Sequence, residues 1–239
     1  MRDIGDRKGK DLVLGRGLLL GLLLALGEIG TAQAIPFVGE ALSGRPCSAF
    51  ERTTQGFGPF DYRQYSKDDH QLKVVEKGHF KPRIKNLKGT MNTPTPAGDL
   101  NYVLRAFPNH HQALYSIIRF YTGVAQAEWD TDPQNITYPP PECYLQRAIA
   151  YQPDDVTLQF LYGLYLHRLG HLAKAQEKYE KGLDKAPNYA EGHYNFGLLL
   201  VDREKYQKAR EQARKAYNLG FPLPGLKQKL EKAGYPLSE

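Results

Sequence analysis

Four of the seven histidines stand where they could share a ligand: His110 and His111 are adjacent, and His167 and His171 lie one helical turn apart. A structural zinc site takes four protein ligands and a catalytic one three. Neither the two cysteines nor a nearby carboxylate completes such a set, so no metal and no cofactor is expected. His167 and His171 fit a helix end, where a polar or cationic side chain suits the dipole. His110 and His111 follow Pro108 at a helix start, which points to capping or packing. Glu128 and Glu142 flank a proline-rich stretch without an evident base or nucleophile beside them. The chain contains no P-loop, G-x-S-x-G elbow, H-E-x-x-H or dinucleotide fingerprint. No catalytic residue is assigned, and the expectation is a protein that is not an enzyme. One basic stretch, Lys73, Lys77, Lys81, Arg83, Lys85 and Lys88, faces only Glu76. It could meet an anionic polymer or lipid surface, but it reads first as a solvated loop.

The chain of 239 residues, 41% hydrophobic and 24% charged with a formal charge of +6, is long enough for one sizeable core or two small ones. Collagen-like, disulfide-dense and wholly disordered classes are excluded. Residues 1–34 read as a secretory signal: a basic start, the apolar run Gly17 to Gly27, then Ala32-Gln33-Ala34 as a small-x-small cleavage pattern. The run is short of the roughly 20 apolar residues of a membrane-spanning helix. Cleavage near Ala34 makes the protein periplasmic or secreted; an uncleaved signal would tether it to the membrane, the only membrane contact expected. Export argues against nucleic acid as a partner. In an oxidising compartment a lone pair of cysteines usually bridges. A Cys47–Cys143 bridge would contribute roughly 4–5 kcal/mol in the chain-entropy account. Two unrelated buried thiols are the alternative.

The elements are set by a repeat. At a shift of 34 positions Tyr162 pairs with Phe196, Gly163 with Gly197, Leu166 with Leu200, Leu172 with Tyr206, Ala175 with Ala209 and Gly182 with Ala216. Each unit reads as two antiparallel helices, over 156–168 and 172–184 and again over 190–202 and 206–218, with Gly170 at the first turn. This pattern resembles the tetratricopeptide repeat (TPR) family: Y-G…A…Y…G…P in 162–187 and F-G…A…A…A in 196–216, with Phe221 standing where the family has proline. The resemblance implies an all-α solenoid of helical hairpins, with clear repeats at 156–189 and 190–223. A degenerate earlier unit is expected from helices at 109–121 and 142–151, separated by an insert over 122–141 that holds Trp129. Asn109 with Gln112 resembles a capping box there. Residues 224–233 are expected as a C-terminal capping helix.

Residues 35–98 show no helical periodicity, yet they are rich in aromatics, so an irregular arm packed on the solenoid over 99–239 is expected, joined to it by a short helix near 99–106. The stretches GFGPFDYR, VVEKGHF and DLNYVLRAFPNHHQAL look like a group of exported bacterial proteins with this layout. That likeness implies architecture rather than an activity. In the TPR family ligands usually lie against the first helices, so the groove-facing residues are taken as Phe160, Leu164, His167, Arg168, Tyr194, Leu198 and Val201. The resemblance therefore implies a binding or assembly module that holds another protein of the cell envelope, either in this groove or on the insert. The groove is open to a partner or filled by the chain's own arm. The alternative is an accessory subunit of an envelope enzyme, with a site near His110-His111.

Overall fold

The computed structural model describes residues 35–50, 57–91, 93–123 and 138–237. The signal reading, Trp129 and the centre of the 122–141 insert lie outside the described residues. The described chain is all-helical, with ten α-helices and no strand. In order they are α1 (His70–His79), α2 (Pro82–Lys85), α3 (Pro96–Ala106), α4 (His111–Tyr121), α5 (Pro141–Tyr151), α6 (Thr157–Arg168), α7 (Leu172–Lys185), α8 (Ala190–Asp202), α9 (Tyr206–Asn218) and α10 (Gly225–Lys232). Among the described residues no helix is long and apolar enough to cross a membrane.

Two hairpins, α6–α7 and α8–α9, follow from small residues spaced along the second helix of each pair. Ala175, Tyr179 and Gly182 form the buried stripe of α7; Ala209, Ala213 and Ala216 form that of α9. Most remaining positions are polar or charged and exposed, with Leu172, Leu183 and Tyr217 half-buried at the margins, the amphipathic pattern of a surface helix. By contrast α6 is apolar nearly all round, with Leu158, Phe160, Tyr162, Tyr165 and Leu166 buried, because it is packed against α4, α5, α7 and α8. Gly163 lets the Tyr179 ring approach so closely that a Cβ would stand 2.9 Å from it. Phe160 wedges between Gly182 and Gly192, where a Cβ on Gly182 would meet the ring at 2.7 Å. One aromatic ring thus joins three helices, and the absent side chains leave the room it needs.

The turns repeat as well. After α6, Gly170 (φ 77°) lets the His171 amide bond back to the Leu166 carbonyl at 2.9 Å. After α8, thirty-four residues on, Glu204 takes the same left-handed conformation (φ 58°) and the Lys205 amide bonds to the Leu200 carbonyl at 2.8 Å. This closure satisfies carbonyls that a helix end leaves free. At the C-terminus α10 lies on α8 and α9, with Leu226 and Leu230 fully buried and Tyr235 stacked on Tyr206 at 4.8 Å.

The segment 35–98 differs from the irregular arm expected of it. It contains α1, α2 and the start of α3, and its Phe37, Leu72, Val75, Phe80, Ile84 and Leu87 belong to the same core as the helices downstream. Within the lysine-rich stretch expected as a loop, Lys73, Lys77, Arg83 and Lys85 accordingly lie in helices, while Lys81 and Lys88 lie between and after them. Residues 35–47 run along α5: Arg147 donates to the Ile35 carbonyl at 2.7 Å, the Leu42 amide donates to Glu142 at 2.8 Å, and Cys47 is disulfide-bonded to Cys143. Among the described residues no cysteine is free. A second attachment forms where Asn109, wholly buried, accepts from the Tyr62 amide at 2.8 Å and donates to Asp61 at 2.6 Å and to Asp155 at 3.0 Å. Arg63 closes this network on Asp61, Asp154 and Asp155. The capping box expected of Asn109 is therefore absent, because its amide is spent on the arm. His110 takes the cap instead, its Nδ1 accepting from the Ala113 amide at 3.2 Å.

Candidate functional site

Along the side formed by α4, α6 and α8 runs an open cleft of about 480 Å³. Helix α4 supplies His111, Gln112 and Tyr115 from one wall. The floor comes from α6, whose one-turn spacing brings Phe160, Leu164 and Arg168 to one face. The far wall is Tyr189 with Glu191, Tyr194 and Asn195 of α8, and Phe221 and Leu223 form the rim beyond α9. No described arm residue lines this cleft. The arm packs on α3, α4 and α5 instead, because its hydrogen bonds to Asn109, Glu142 and Arg147 hold it there.

Of the seven residues expected to face a groove, Phe160, Leu164, Arg168 and Tyr194 line the cleft. His167, Leu198 and Val201 do not. His167 turns to Asp202, with Nε2 2.9 Å from Oδ2, while Leu198 and Val201 pack half-buried against the core. Phe160 also has a structural duty: only 4% exposed, it stacks on Tyr189 at 4.7 Å as well as filling the joint described above. Truncating it would leave a cavity and cost on the order of 3–5 kcal/mol, so it cannot be removed as a test of binding alone.

Tyr115, Gln112, Leu161, Tyr189 and the rim residues are lining positions that sequence reasoning missed. Those on α4 belong to the unit whose 34-residue register is broken by the long insert; Phe221 and Leu223 follow the last helix of a repeat and have no place in its pattern. The signal available for Tyr115 was its place one turn before Arg119 on α4, opposite the apolar face.

Chemically the cleft has three zones. In one zone Tyr115, 40% exposed, has two guanidinium groups near its ring, with Arg119 at 5.8 Å and Arg168 at 5.6 Å from its ring centre. The second is aliphatic and aromatic. In the third Tyr194 packs on Phe221 at 4.3 Å, and the Tyr189 hydroxyl donates to Glu191 at 3.2 Å. Burial, reinforced by the Glu191 carboxylate, pushes the Tyr189 phenol up to about 12, so it remains a neutral donor in ordinary buffers. His111 sits at the edge of the cleft and bonds Asp155 through Nε2 at 2.8 Å. Such a surface offers flat rings, a cationic zone and an acidic zone. It suits an extended segment with apolar side chains and free backbone amides.

The other predicted chemistry resolves into local partnerships. His110 is fully buried, stacked on Tyr62 at 4.1 Å and edge-on to Phe80 at 4.8 Å, with Nε2 3.2 Å from Glu76. Burial holds its imidazole below the ordinary value, outweighing the pull of Glu76. Glu142 is buried between the arm and α6, accepting from the Tyr165 hydroxyl at 2.6 Å. Searches against known proteins add no assignment: no family model and no curated protein matches the chain.

Proposed function

We propose that the chain is an exported, TPR-type helical-hairpin solenoid that binds a segment of another envelope protein in the cleft of α4, α6 and α8. The observation that carries this reading is that the cleft, with exposed Tyr115 and Leu223 in its lining, has no described arm residue in it. Two further features support the repeat class. The pairs α6–α7 and α8–α9 share the 34-residue spacing, and their turns share the same backbone closure at Gly170 and Glu204. The disulfide is compatible with an oxidising compartment and so supports export, with removal of residues 1–34 as the corresponding processing step. In this reading the protein is not an enzyme: it positions a partner and performs no bond chemistry.

The test is site-directed photo-crosslinking in the native envelope. A photoreactive side chain in place of Tyr115 or Leu164 should join one reproducible partner, and the same group at Val74, on the far side of α1, should not. Equal labelling at all three positions, or none at Tyr115 and Leu164, removes the cleft as the binding site. Amino-terminal sequencing of the exported protein tests the processing step, with Ile35 expected as the first residue.

A further inference from the structure

Helices α1 and α2 carry a set of cations that the cleft does not use. Between residues 70 and 91 stand six lysines and arginines and a single carboxylate, Glu76. That carboxylate is engaged by His110. Lys73, Lys77, Lys81, Arg83, Lys85 and Lys88 are all exposed, and among the described residues none of them makes an ion pair. The C-terminal helices are basic too: there Lys229 pairs with Asp202 and Lys227 with Glu231, and although Lys205, Lys208, Arg214 and Lys215 make no ion pair among the described residues, the carboxylates of Glu204 and Glu211 stand among them in the sequence.

The patch is held in shape from below. Leu72 and Val75 anchor α1, and Ile84 and Leu87 anchor α2, each 2% exposed or less. At 3.6 residues per turn, Lys73, Val74 and Lys77 fall within an arc of roughly 100° directed away from those anchors. Val74 is 49% exposed at one edge of that arc, beside Lys77. An apolar side chain beside lysines whose aliphatic stems can lie flat fits the boundary between headgroups and acyl chains: the ammonium groups meet anionic headgroups and the valine reaches past them. A soluble polyanion would satisfy the charges and leave the valine unused.

We propose that the outer face of α1–α2 binds an anionic lipid surface, with Lys73, Lys77, Lys81 and Lys85 as the headgroup contacts and Val74 as the apolar contact. This is independent of the cleft, and it gives the protein a membrane-facing side apart from its partner-binding side. The disulfide and the Asn109 network fasten the segments that precede this face, and α1 and α2 pack on α3 and α4, so the face stays attached to the body that carries the cleft.

The full chain is mixed with phosphatidylcholine vesicles and with vesicles about one-third phosphatidylglycerol, and bound protein is measured by sedimentation at about 0.05 M and about 0.3 M salt. Binding to neutral vesicles gives the baseline for any apolar contribution of residues 1–34. The expected result is a rise with anionic lipid that shrinks at high salt. Each cation near such a surface is worth about fivefold in partitioning, so Lys73→Glu with Lys77→Glu and Lys85→Glu, which remove three cations and add three anions, should lower the rise by more than about 100-fold. Lys208→Glu with Lys215→Glu, also on exposed lysines, should stay within about threefold of the parent. Val74→Ser should weaken binding without altering its salt dependence. Melting curves verify that each variant is folded, and Lys73→Gln with Lys77→Gln replaces the triple variant if that one is not. Three results overturn the proposal: the triple variant keeps the rise; the Lys208 and Lys215 reversals remove as much; or the protein binds heparin through these lysines while ignoring anionic vesicles.

Discussion

A single proton governs His110. Its Nδ1 must stay unprotonated to accept from the Ala113 amide, so the neutral ring carries its hydrogen on Nε2, toward Glu76. Protonation would set two N–H groups against each other at the start of α4 and place a charge among aromatic rings. The folded-state value lies below 6.5, and the unfolded chain therefore takes up the proton first. Stability should fall as pH drops below 6.5 toward the folded-state value. An NMR titration of the imidazole should show it still neutral when exposed histidines have titrated; a midpoint at or above 6.5 would contradict this assignment. A second residue-scale expectation concerns Glu204. An L-residue in the left-handed region costs roughly 1–2 kcal/mol, and the equivalent turn uses Gly170. Glu204→Gly should raise stability by about 0.5–1 kcal/mol, read from chemical denaturation.

At the scale of elements, the hairpins were legible within a residue or so because the 34-residue period fixes register twice over. Gly163, Gly170 and Pro187 mark features that recur or stop. The helices α1 and α2 were not legible. Each is short, α1 shows only one pair of core residues at i, i+3 spacing (Leu72 with Val75), α2 holds only Ile84 with Leu87 just beyond its end, and the intervening lysines look like a solvated loop. Their stability comes from packing on α3 and α4 rather than from local preference. The same holds for the cleft: its floor on α6 lies in the repeat and could be named, but its α4 wall lies across the insert. The Asn109 network shows why polar residues mislead most. A cap at a helix start and a buried bridge to a distant segment use the same side chain. Asn109→Ala should leave the Tyr62 amide without its acceptor and weaken the arm's attachment by ~1–3 kcal/mol, seen as faster hydrogen exchange at Tyr62. Acid should loosen the same joint. Burial alone would raise the Asp61 carboxyl, but hydrogen bonds from Arg63 and Asn109 outweigh it and hold the group below 3.8. Its contribution is therefore full above pH 3.8 and lost as pH falls through the lower folded value. Asp61→Asn should remove that part of the acid dependence.

For the whole molecule, the disulfide acts as a clasp between distant parts of the chain. Cys47 and Cys143 are 96 positions apart, and the loop they close contains α1 through α4. The hairpins α6–α7 and α8–α9 and the closing α10 lie outside it. If the ends of the chain were drawn apart, load would travel along the covalent short cut from Cys47 to Cys143 and bypass everything within the loop. The hairpins would give way while the residues between the two cysteines, with α1 through α4, bore no tension. Adding a reductant should then release on the order of 300 Å of further extension, at about 3.3–3.6 Å per residue. A single-molecule pulling trace that lengthened equally with and without reductant would show that the clasp is not closed. A partner bound in the cleft as proposed would sit astride this divide, with one wall on the shielded α4 and the others on α6 and α8, so tugging on the C-terminal end would pry the cleft open from one side and let the cargo go.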